Sequence, residues 1–482
     1  MRVNAPLRQI NERGAMMPLQ AEPVLTSPHA RGLPEAWVEA ASRRLPRYTS
    51  YPTARSFRPV DADALAEIDQ AVRRDRPDQR LSAYVHIPFC RRLCWYCGCH
   101  TSVAHDYRRI AEFHRVLLDE VDLWADRIGE RDGLAHLHFG GGSPNALSPD
   151  DFARLVERIG TRLGLRPGAE VAVELDPALL STAFAHAAGA AGVTRASLGV
   201  QTFDPDVQAR INRIQDYDRV AGAVGDLRAS GIAAINLDLM YGLPGQTPEN
   251  VAVGTQQALS LQPDRLAVFG YAHVPWMKKH QEMIRQDELA GVTGRWDQAT
   301  AIDEILVGAG YVRIGLDHYA RPDDALTRAA VAGRLRRNFQ GYTDDVADAL
   351  VPIGPSSIGL LDDRFIQNAP AQNHWRAAIA EGRLPISRQL GLSADDHLRA
   401  AVIERLMCDL HVDVEAQCRA HGVESDGLDA ALAVAAPLTA LGLCRIEGRN
   451  LSIPETARHL MRVVAACFDA DLPDPARASA AV

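Results

Sequence analysis

Cys90-Arg-Arg-Leu-Cys94-Trp-Tyr-Cys97-Gly-Cys99 places four cysteines within ten residues. The first three follow a C-x3-C-x2-C spacing, so one short loop can turn three thiolates onto one centre. Iron–sulfur clusters are held by cysteine thiolates, usually four. Three thiolates leave the fourth iron of a cubane cluster without a protein ligand, and an open coordination position is where a metal does chemistry. Structural zinc instead asks for two separated C-x2-C or Cys/His pairs, which this loop lacks. A merely cysteine-rich loop in a reduced protein would make the local excess accidental. Cys408, Cys418, Cys444 and Cys467 are dispersed in helix-like or strand-like text, and we read them as buried structural thiols.

The loop follows Leu81-Ser-Ala-Tyr-Val-His-Ile-Pro-Phe89, an apolar β-prone run closed by a proline. Beyond it the pattern alternates. Strands are expected at 82–88, 135–140, 170–176, 195–201, 234–241, 265–271 and 311–315. Helices are expected at 108–130, 150–164, 204–213, 217–230, 248–261 and 297–310. Apolar strands alternating with helices imply parallel βαβ units with right-handed crossovers. Six or seven such units suit an open, partial (βα) barrel, whose working residues sit at the C-terminal strand ends.

The fold class is therefore α/β: a partial barrel of parallel strands with an N-terminal extension and a mainly helical C-terminal domain. We divide the chain into an irregular and helical extension (1–80), the barrel (81–320), a connecting substrate-site segment (321–370) and a winged-helix-like domain (371–482). Residues 1–33 lack periodicity and read as irregular. Residues 58–77 read as one helix ending before the Arg-Pro pair at 76–77. In the last domain 397–408 and 426–441 are amphipathic, a short strand pair follows at 443–446 and 451–453, and a final helix at 455–469.

Composition narrows the function. A hydrophobic share of 47% and a charged share of 23% are those of an ordinary globular protein. A chain of 482 residues is long enough for roughly two or three domains. The net charge of -9 argues against a general nucleic-acid binder. No apolar run reaches the roughly 18 residues of a membrane span, and the first 30 or so residues lack a signal-peptide core. Cysteines packed in a loop suit a reducing cytoplasm better than a disulfide framework.

Further motifs fall at the expected strand ends. Phe139-Gly-Gly-Gly142-Ser143-Pro144 closes the second strand, and its glycines permit close approach of a ligand to the backbone. Glu174 ends the third strand and Gln201 the fourth. Asp238 lies in the fifth, where an acid inside apolar text is costly unless something pairs it. Arg213 follows the fourth strand and is a candidate partner for a ligand carboxylate. Each of these alone is equally a turn, a paired acid or a surface arginine; in series they point to one site.

A three-cysteine loop after a first strand, followed by a glycine run at the next strand end, resembles the radical S-adenosylmethionine (SAM) superfamily. That resemblance implies a [4Fe–4S] cluster whose open iron binds the amino and carboxylate groups of SAM. An electron from it splits SAM to methionine and a 5'-deoxyadenosyl radical. Tyr48-Thr-Ser-Tyr-Pro-Thr-Ala54, Tyr84-Val-His-Ile-Pro-Phe-Cys90, Cys97-Gly-Cys99, Asp317-His-Tyr-Ala-Arg-Pro-Asp-Asp324 and Asn338-Phe-Gln-Gly-Tyr-Thr343 narrow it further. From about residue 46 onward the chain resembles the oxygen-independent coproporphyrinogen III oxidase family.

The family resemblance implies conversion of the ring A and B propionates of coproporphyrinogen III to vinyl groups, giving protoporphyrinogen IX in anaerobic haem synthesis. It implies two SAM molecules, an electron donor such as flavodoxin or ferredoxin, an unidentified acceptor and a cytoplasmic monomer. By residue, it implies that Cys90, Cys94 and Cys97 ligate the cluster and Cys99 does not. Tyr84, Gly141, Gly142, Ser143, Glu174, Gln201, Arg213 and Asp238 match SAM contacts, and Tyr96, Ala272 and Ile358 match further nucleoside contacts. Tyr84 and the three ligand cysteines form the catalytic set. Two features depart from the family: Ser143 and Asn145 stand where Thr-Pro-Thr is usual, and about 30 residues precede the usual start.

The substrate's four carboxylates call for cations at the barrel mouth. Arg47, Lys278, Lys279, His280, Arg321 and Arg337 are the candidates. Competing readings are a radical SAM haem chaperone, a methyl-transfer or ring-forming radical SAM enzyme, and a zinc-binding interaction module. Haem-chaperone relatives usually carry a bulky residue in place of Cys99 and lack Asn338-Phe-Gln-Gly341; both features favour the oxidase.

Overall fold

The computed structural model describes residues 32–74, 76, 78–472 and 479–482. Most of the stretch expected to be irregular (1–33) and Pro77 lie outside them.

Six strand–helix units carry the centre of the molecule. They are β1 (Leu81–Ile87), α1 (Tyr107–Ile128), β2 (Leu134–Gly141), α2 (Pro149–Arg162), β3 (Leu165–Leu175), α3 (Thr182–Ala190), β4 (Arg195–Gln201), α4 (Tyr217–Ala229), β5 (Ala234–Tyr241), α5 (Pro248–Ser260), β6 (Arg265–Gly270) and α6 (Val292–Gly308). All six strands pair in parallel in sequential order. Five of the six helices start on side-chain caps: Asp106, Ser148, Ser181, Asp216 and Thr247 each accept a backbone N–H of the first turn. The inward face of α1 repeats at three and four residues through Ile110, Phe113, Leu117, Val121, Trp124 and Ile128, all buried. Gly129 ends that helix at φ 71°, where a side chain would be strained.

The sheet extends beyond these units and stays open, with thirteen strands in all among the described residues. Two departures from expectation result. The segment expected as a seventh barrel strand, 311–315, forms β7 (Val312–Ile314). It pairs antiparallel with β8 (His318–Ala320), itself antiparallel to β6. The turn at Gly315 leaves no room for a crossover, so no parallel unit can form there. The seventh parallel strand is instead β9 (Ala349–Ile353), which pairs with β1 on its other side. β10 (Ile358–Leu361), β11 (Arg364–Asn368) and β12 (Ile386–Gly391) continue antiparallel from it, and Arg58–Pro59 forms the far edge. The sheet thus runs past the divide expected at residue 371. The helix expected over 58–77 is shorter, Ala62–Val72, because the strand at Arg58–Pro59 takes its beginning.

Buried Glu120 of α1 ties this extension down. It accepts from the Gly354 N–H at 2.7 Å, Asn368 Nδ2 at 2.7 Å and Trp375 Nε1 at 2.8 Å. The C-terminal part is helical. α7 (Ala394–Asp409) opens on a Ser393/Asp396 capping box and packs beside a small antiparallel sheet of His411–Asp413, Asn450–Ser452 and Arg445–Glu447. The helices expected at 426–441 and 455–469 are each broken. Pro437 divides the first into Asp429–Ala435 and Pro437–Ala440, and the second alternates between 3-10 and α geometry. One core joins Leu406, Met407, Val464 and Phe468 to Trp37, Ala41 and Tyr48 of the N-terminal segment. Cys408, Cys418 and Cys444 are buried and Cys467 half-buried.

Candidate active site

Barrel strands have two buried faces, and here the faces differ in chemistry. Ala83, Val85 and Ile87 of β1, Leu137 and Phe139 of β2, Val171, Val173 and Leu175 of β3, and Ile235, Leu237 and Leu239 of β5 belong to one apolar core. The residues between them, at period two, line cavities. His138, Glu174, Ser197, Gln201 and Asp238 face a cavity of about 530 Å³ at the C-terminal strand ends. His136, Glu170, Arg195 and Arg265 face a smaller one of about 110 Å³ at the N-terminal ends.

The cysteine loop crosses the top of the larger cavity, and Cys90, Cys94, Cys97 and Cys99 all line it. Backbone pairing fixes its start and end: Phe89–Cys90 runs parallel to Ser102–Val103. Asn212 Nδ2 donates to Leu93 O at 2.9 Å, Gln281 Nε2 to Tyr96 O at 2.9 Å and Lys278 Nζ to Cys99 O at 2.9 Å, while His280 Nε2 bonds Cys97 O at 2.7 Å. The Cys97 thiol is pulled down to about 6 by the Cys99 thiol and amide donating to it, helped by Lys278 and His280. Burial, with Cys97 and Cys94 adding to it against the Ser143 hydrogen bond, pushes Cys90 up to about 12. A cationic centre beside Cys90 would favour its thiolate against burial. Among the described residues no three Cys, His, Asp or Glu side chains close around a single ion. The three cysteines line the wall of a wide cavity, which leaves room for a group larger than one ion beside them.

The glycine run follows directly. A Cβ on Gly142 would lie 2.7 Å from Phe89 O, and Gly141 sits at φ 109° with His86 against it, so neither position tolerates a side chain. The run hydrogen-bonds to the cysteine strand through Gly142 N to Ile87 O and Ser143 N to Phe89 O, both 2.8 Å. Ser143 Oγ lies 3.8 Å from Cys90 Sγ. Glu174 is held by His138 Nε2 at 2.9 Å and Gly141 N at 3.2 Å. Burial raises its pKa, but these donors outweigh burial and keep it below the usual carboxylate value.

Asn145, the departure from the family pattern, has a clear place. Its Nδ2 donates to Asp176 O at 2.9 Å and its Oδ1 accepts from Asp176 N at 3.1 Å. Asp176 in turn meets Arg213 at 3.4 Å. Arg213 reaches Cys94 Sγ at 3.4 Å and Gly199 O at 2.6 Å. Sequence reasoning left out His138 and Asp176 and gave Asn145 no role. Period-two alternation marked His138, but nothing local marked the Asn145–Asp176 pairing.

Gln201 adopts φ 68° at a bulge between β4 and β5, which turns its amide into the cavity. Asp238 accepts from Asn236 Nδ2 at 2.9 Å. Burial pushes its pKa up to about 7, and Glu174 adds to the rise. Tyr96 and Ala272 line the same cavity. Two expected residues do not. Tyr84 faces the lower cavity, its ring stacked on His138 at 5.8 Å and its hydroxyl 3.2 Å from His86 Nδ1. Ile358 opens β10, two strands away from β1, and is not among the lining residues. Of the candidate cations, Arg47 lines the cavity, Lys279 is exposed, and Lys278 and His280 brace the cysteine loop. Arg337 is turned to the Tyr48 and Arg47 carbonyls and over the Tyr342 ring at 4.3 Å. Arg321 is at the wrong end: it bonds Pro263 O and Gln262 O, below the start of β6.

Comparison with known proteins places this geometry. The radical SAM superfamily profile matches residues 84–253. The oxygen-independent coproporphyrinogen III oxidase of Bradyrhizobium diazoefficiens is 45% identical, covering 91% of this chain and 97% of that protein. That of Paracoccus denitrificans is 41% identical, covering 88% of this chain and 94% of that protein. The chain belongs to the oxygen-independent coproporphyrinogen III oxidase family. The solved structure of the Escherichia coli coproporphyrinogen III oxidase, a radical SAM enzyme, superposes with a TM-score of 0.83 at 34% identity, over 88% of this chain and 97% of that one. As a member of this family the protein is a radical SAM oxidoreductase that uses a [4Fe–4S] cluster and SAM. The family reading prevails over the haem-chaperone, methyl-transfer and zinc-module alternatives. No described helix is long and apolar enough to cross a membrane.

Proposed function

We propose that the protein decarboxylates the ring A and B propionates of coproporphyrinogen III to vinyl groups in the large upper cavity. The observation that carries this reading is the convergence of three cysteines, the glycine run and buried acids on one cavity, in a chain of this family. Cys90, Cys94 and Cys97 would hold the cluster. Ser143, the Gly141–Gly142 backbone and Glu174 would take the methionine end of SAM, with Arg213 positioned by Asp176 next to Cys94. Gln201 and Asp238 would hold the nucleoside hydroxyls. A second SAM molecule would lie toward Tyr96 and Ala272, on the side where Gln281 fixes both backbones.

When bound, cluster and SAM supply one-electron hydrogen abstraction, which a propionate needs because it becomes a vinyl group only after losing a β-hydrogen, CO2 and one electron. The chain's own task is placement and exclusion. Arg47 of the N-terminal segment and Gln340 line the cavity with the barrel residues, and shielding there would protect a carbon radical from quenching. Tyr84 would act through His138, on which it stacks, and not by touching SAM. Ile358 would act through the packing of the strands beside β1. The electron would come from a small carrier such as flavodoxin or ferredoxin. A reducing cytoplasm suits eight cysteines that form no disulfide.

The test is an anaerobic assay of reconstituted protein with SAM, a reductant, coproporphyrinogen III and a cell-extract acceptor. Protoporphyrin after oxidation, with matching 5'-deoxyadenosine, supports the reading. SAM cleavage without decarboxylation would move the substrate elsewhere. Equilibrium dialysis with labelled SAM counts the SAM sites.

A further inference from the structure

Beside the upper cavity lies an outer pocket of about 310 Å³. Arg47, Ala272 and Val274 line both, so the two are contiguous. Their chemistry differs. Glu174, Asp176 and Asp238 stand in the wall of the upper cavity. Among the described residues no carboxylate lines the outer pocket. Leu45, Pro46, Met277 and Phe339 give it apolar surface, and Arg47 and Arg55 give it charge.

The turn that carries Arg55, Ala54–Ser56, is pinned from behind by Arg388, whose Nη2 donates to Ala54 O at 3.2 Å and to Phe57 O at 2.7 Å. The Arg55 side chain is exposed, and its Nη2 meets the neutral Met277 Sδ at 4.0 Å. Among the described residues Arg55 has no carboxylate partner. The turn facing it is fixed as well: Met277 N donates to Val274 O at 2.8 Å, and Val274 N to Gln281 Oε1 at 2.6 Å. Arg47 donates to Gly270 O at 2.6 Å. Asp317, which feels the Arg47 charge, is bonded to His318 Nδ1 at 2.8 Å and lines neither cavity. Met277 is 57% exposed and Trp276 47%, with the Arg44 guanidinium 5.1 Å from the Trp276 ring centre. Apolar surface left to solvent and rimmed by cations fits an apolar ligand edged with carboxylates.

We propose that the outer pocket seats the part of the substrate that is not reacting. Pyrrole rings lie against Met277 and Phe339 and one propionate meets Arg55, while the reacting propionate enters the upper cavity past Arg47. The proposal rests on the reading of coproporphyrinogen III as substrate. Carboxylates repel one another and the acids of the upper cavity, so the arms that do not react are better placed outside, beside cations. SAM, with its positive charge, is the poorer occupant of a pocket with two arginines and no acid. Binding energy spent away from the reacting carbon orients the arm that faces the radical. Arg55 is then a specificity-determining residue.

The experiment compares the reconstituted holoenzyme with its Arg55→Gln, Arg55→Glu and Arg55→Lys variants. Steady-state decarboxylation gives kcat and KM. Fluorescence titration gives the Kd of coproporphyrin III, the oxidised form of the substrate. An exposed ion pair predicts KM and Kd raised about three- to fivefold in Arg55→Gln. Arg55→Glu turns attraction into repulsion and should raise both by about tenfold, and Arg55→Lys should stay near the unsubstituted protein. The differences should shrink at high salt, while kcat and the KM for SAM stay level. Unchanged KM and Kd in Arg55→Glu overturns the proposal. So does a KM for SAM that rises in step with that for coproporphyrinogen III, which would assign the pocket to SAM. An unsubstituted enzyme that binds coproporphyrin III and cleaves SAM but leaves coproporphyrinogen III intact would instead overturn the proposed function.

Discussion

The two ends of the same barrel strands differ in one buried acid: each end has paired carboxylates, and the C-terminal end adds Asp238, which no cation meets. At the N-terminal ends, acids and arginines are paired off. Arg195 meets Glu170 at 3.0 Å and Asp324 at 3.5 Å, and Arg265 meets Asp324 at 2.7 Å. Burial raises the Glu170 pKa, but Arg195 and Arg265 outweigh it and hold the carboxyl low. At the C-terminal ends Asp238 has only the Asn236 amide within hydrogen-bond distance, and its pKa is pushed up to about 7 by burial and by Glu174. Burial alone therefore does not mark a site. The mark is a buried acid that the chain leaves without a cation, at the end of the strand where the fold places its ligands.

The cysteine loop gives the largest effect by which this contrast can be broken. Cys90→Ala, Cys94→Ala or Cys97→Ala should each cost the cluster's visible absorbance and reduce SAM cleavage to background. Cys99→Ala should keep the absorbance. Loss of iron from the Cys99 variant alone would reverse the ligand assignment.

Next comes the paired end. Asp324→Asn leaves buried Arg265 without its carboxylate and takes the weaker of two from Arg195, and breaking such a buried pair costs roughly 3–5 kcal/mol. The free energy of unfolding from denaturant titration should fall by that amount, with SAM affinity retained. A drop in SAM affinity without loss of stability would show that the two ends are not separate. Glu174→Gln at the upper end should do the opposite. Loss of a charged hydrogen-bond acceptor worth about 1.5–3 kcal/mol predicts SAM affinity weakened by roughly 10- to 100-fold, with little change in stability.

The smallest effect is a pH dependence. The Asp238 pKa rises from 3.8 to about 7 on folding, so the native chain holds a proton that the unfolded chain has lost across that window. Stability attributable to this residue falls as pH rises from about 4 to about 7 and is level above it. Positively charged SAM favours the ionised acid, so its affinity should climb from pH 6 to pH 8, by up to about tenfold per unit below the pKa. Isothermal titration of Asp238→Asn should show the climb abolished. A climb that persists in the variant would assign it to another group.

Much of this was legible in the sequence because it is local. The cysteine spacing, the glycine triplet and the alternation of strands with helices each fit within a few tens of residues, and the strands beginning at 195, 234 and 265 start where the pattern sets them. The site residues at the strand ends followed from that framework. What escaped depends on partners distant in the chain. β9 reads as loop text because its strand character comes from pairing Ala349 with Leu81. β7 reads as a barrel strand because periodicity carries no direction. Asn145 gains its role only when Asp176 lies beside it. Arg55, an ordinary arginine in irregular text, meets Met277 only when the N-terminal segment folds back on the barrel.

The most direct test of the upper cavity as the place of reaction is isotope transfer. Coproporphyrinogen III deuterated at the propionate β-carbons is incubated anaerobically with the reconstituted enzyme, SAM, reductant and an acceptor, and the 5'-deoxyadenosine is weighed by mass spectrometry. Our account predicts one deuterium per 5'-deoxyadenosine, in step with vinyl product. Vinyl product accompanied by unlabelled 5'-deoxyadenosine would contradict it, because the hydrogen would then have left by a route that does not pass through this cavity.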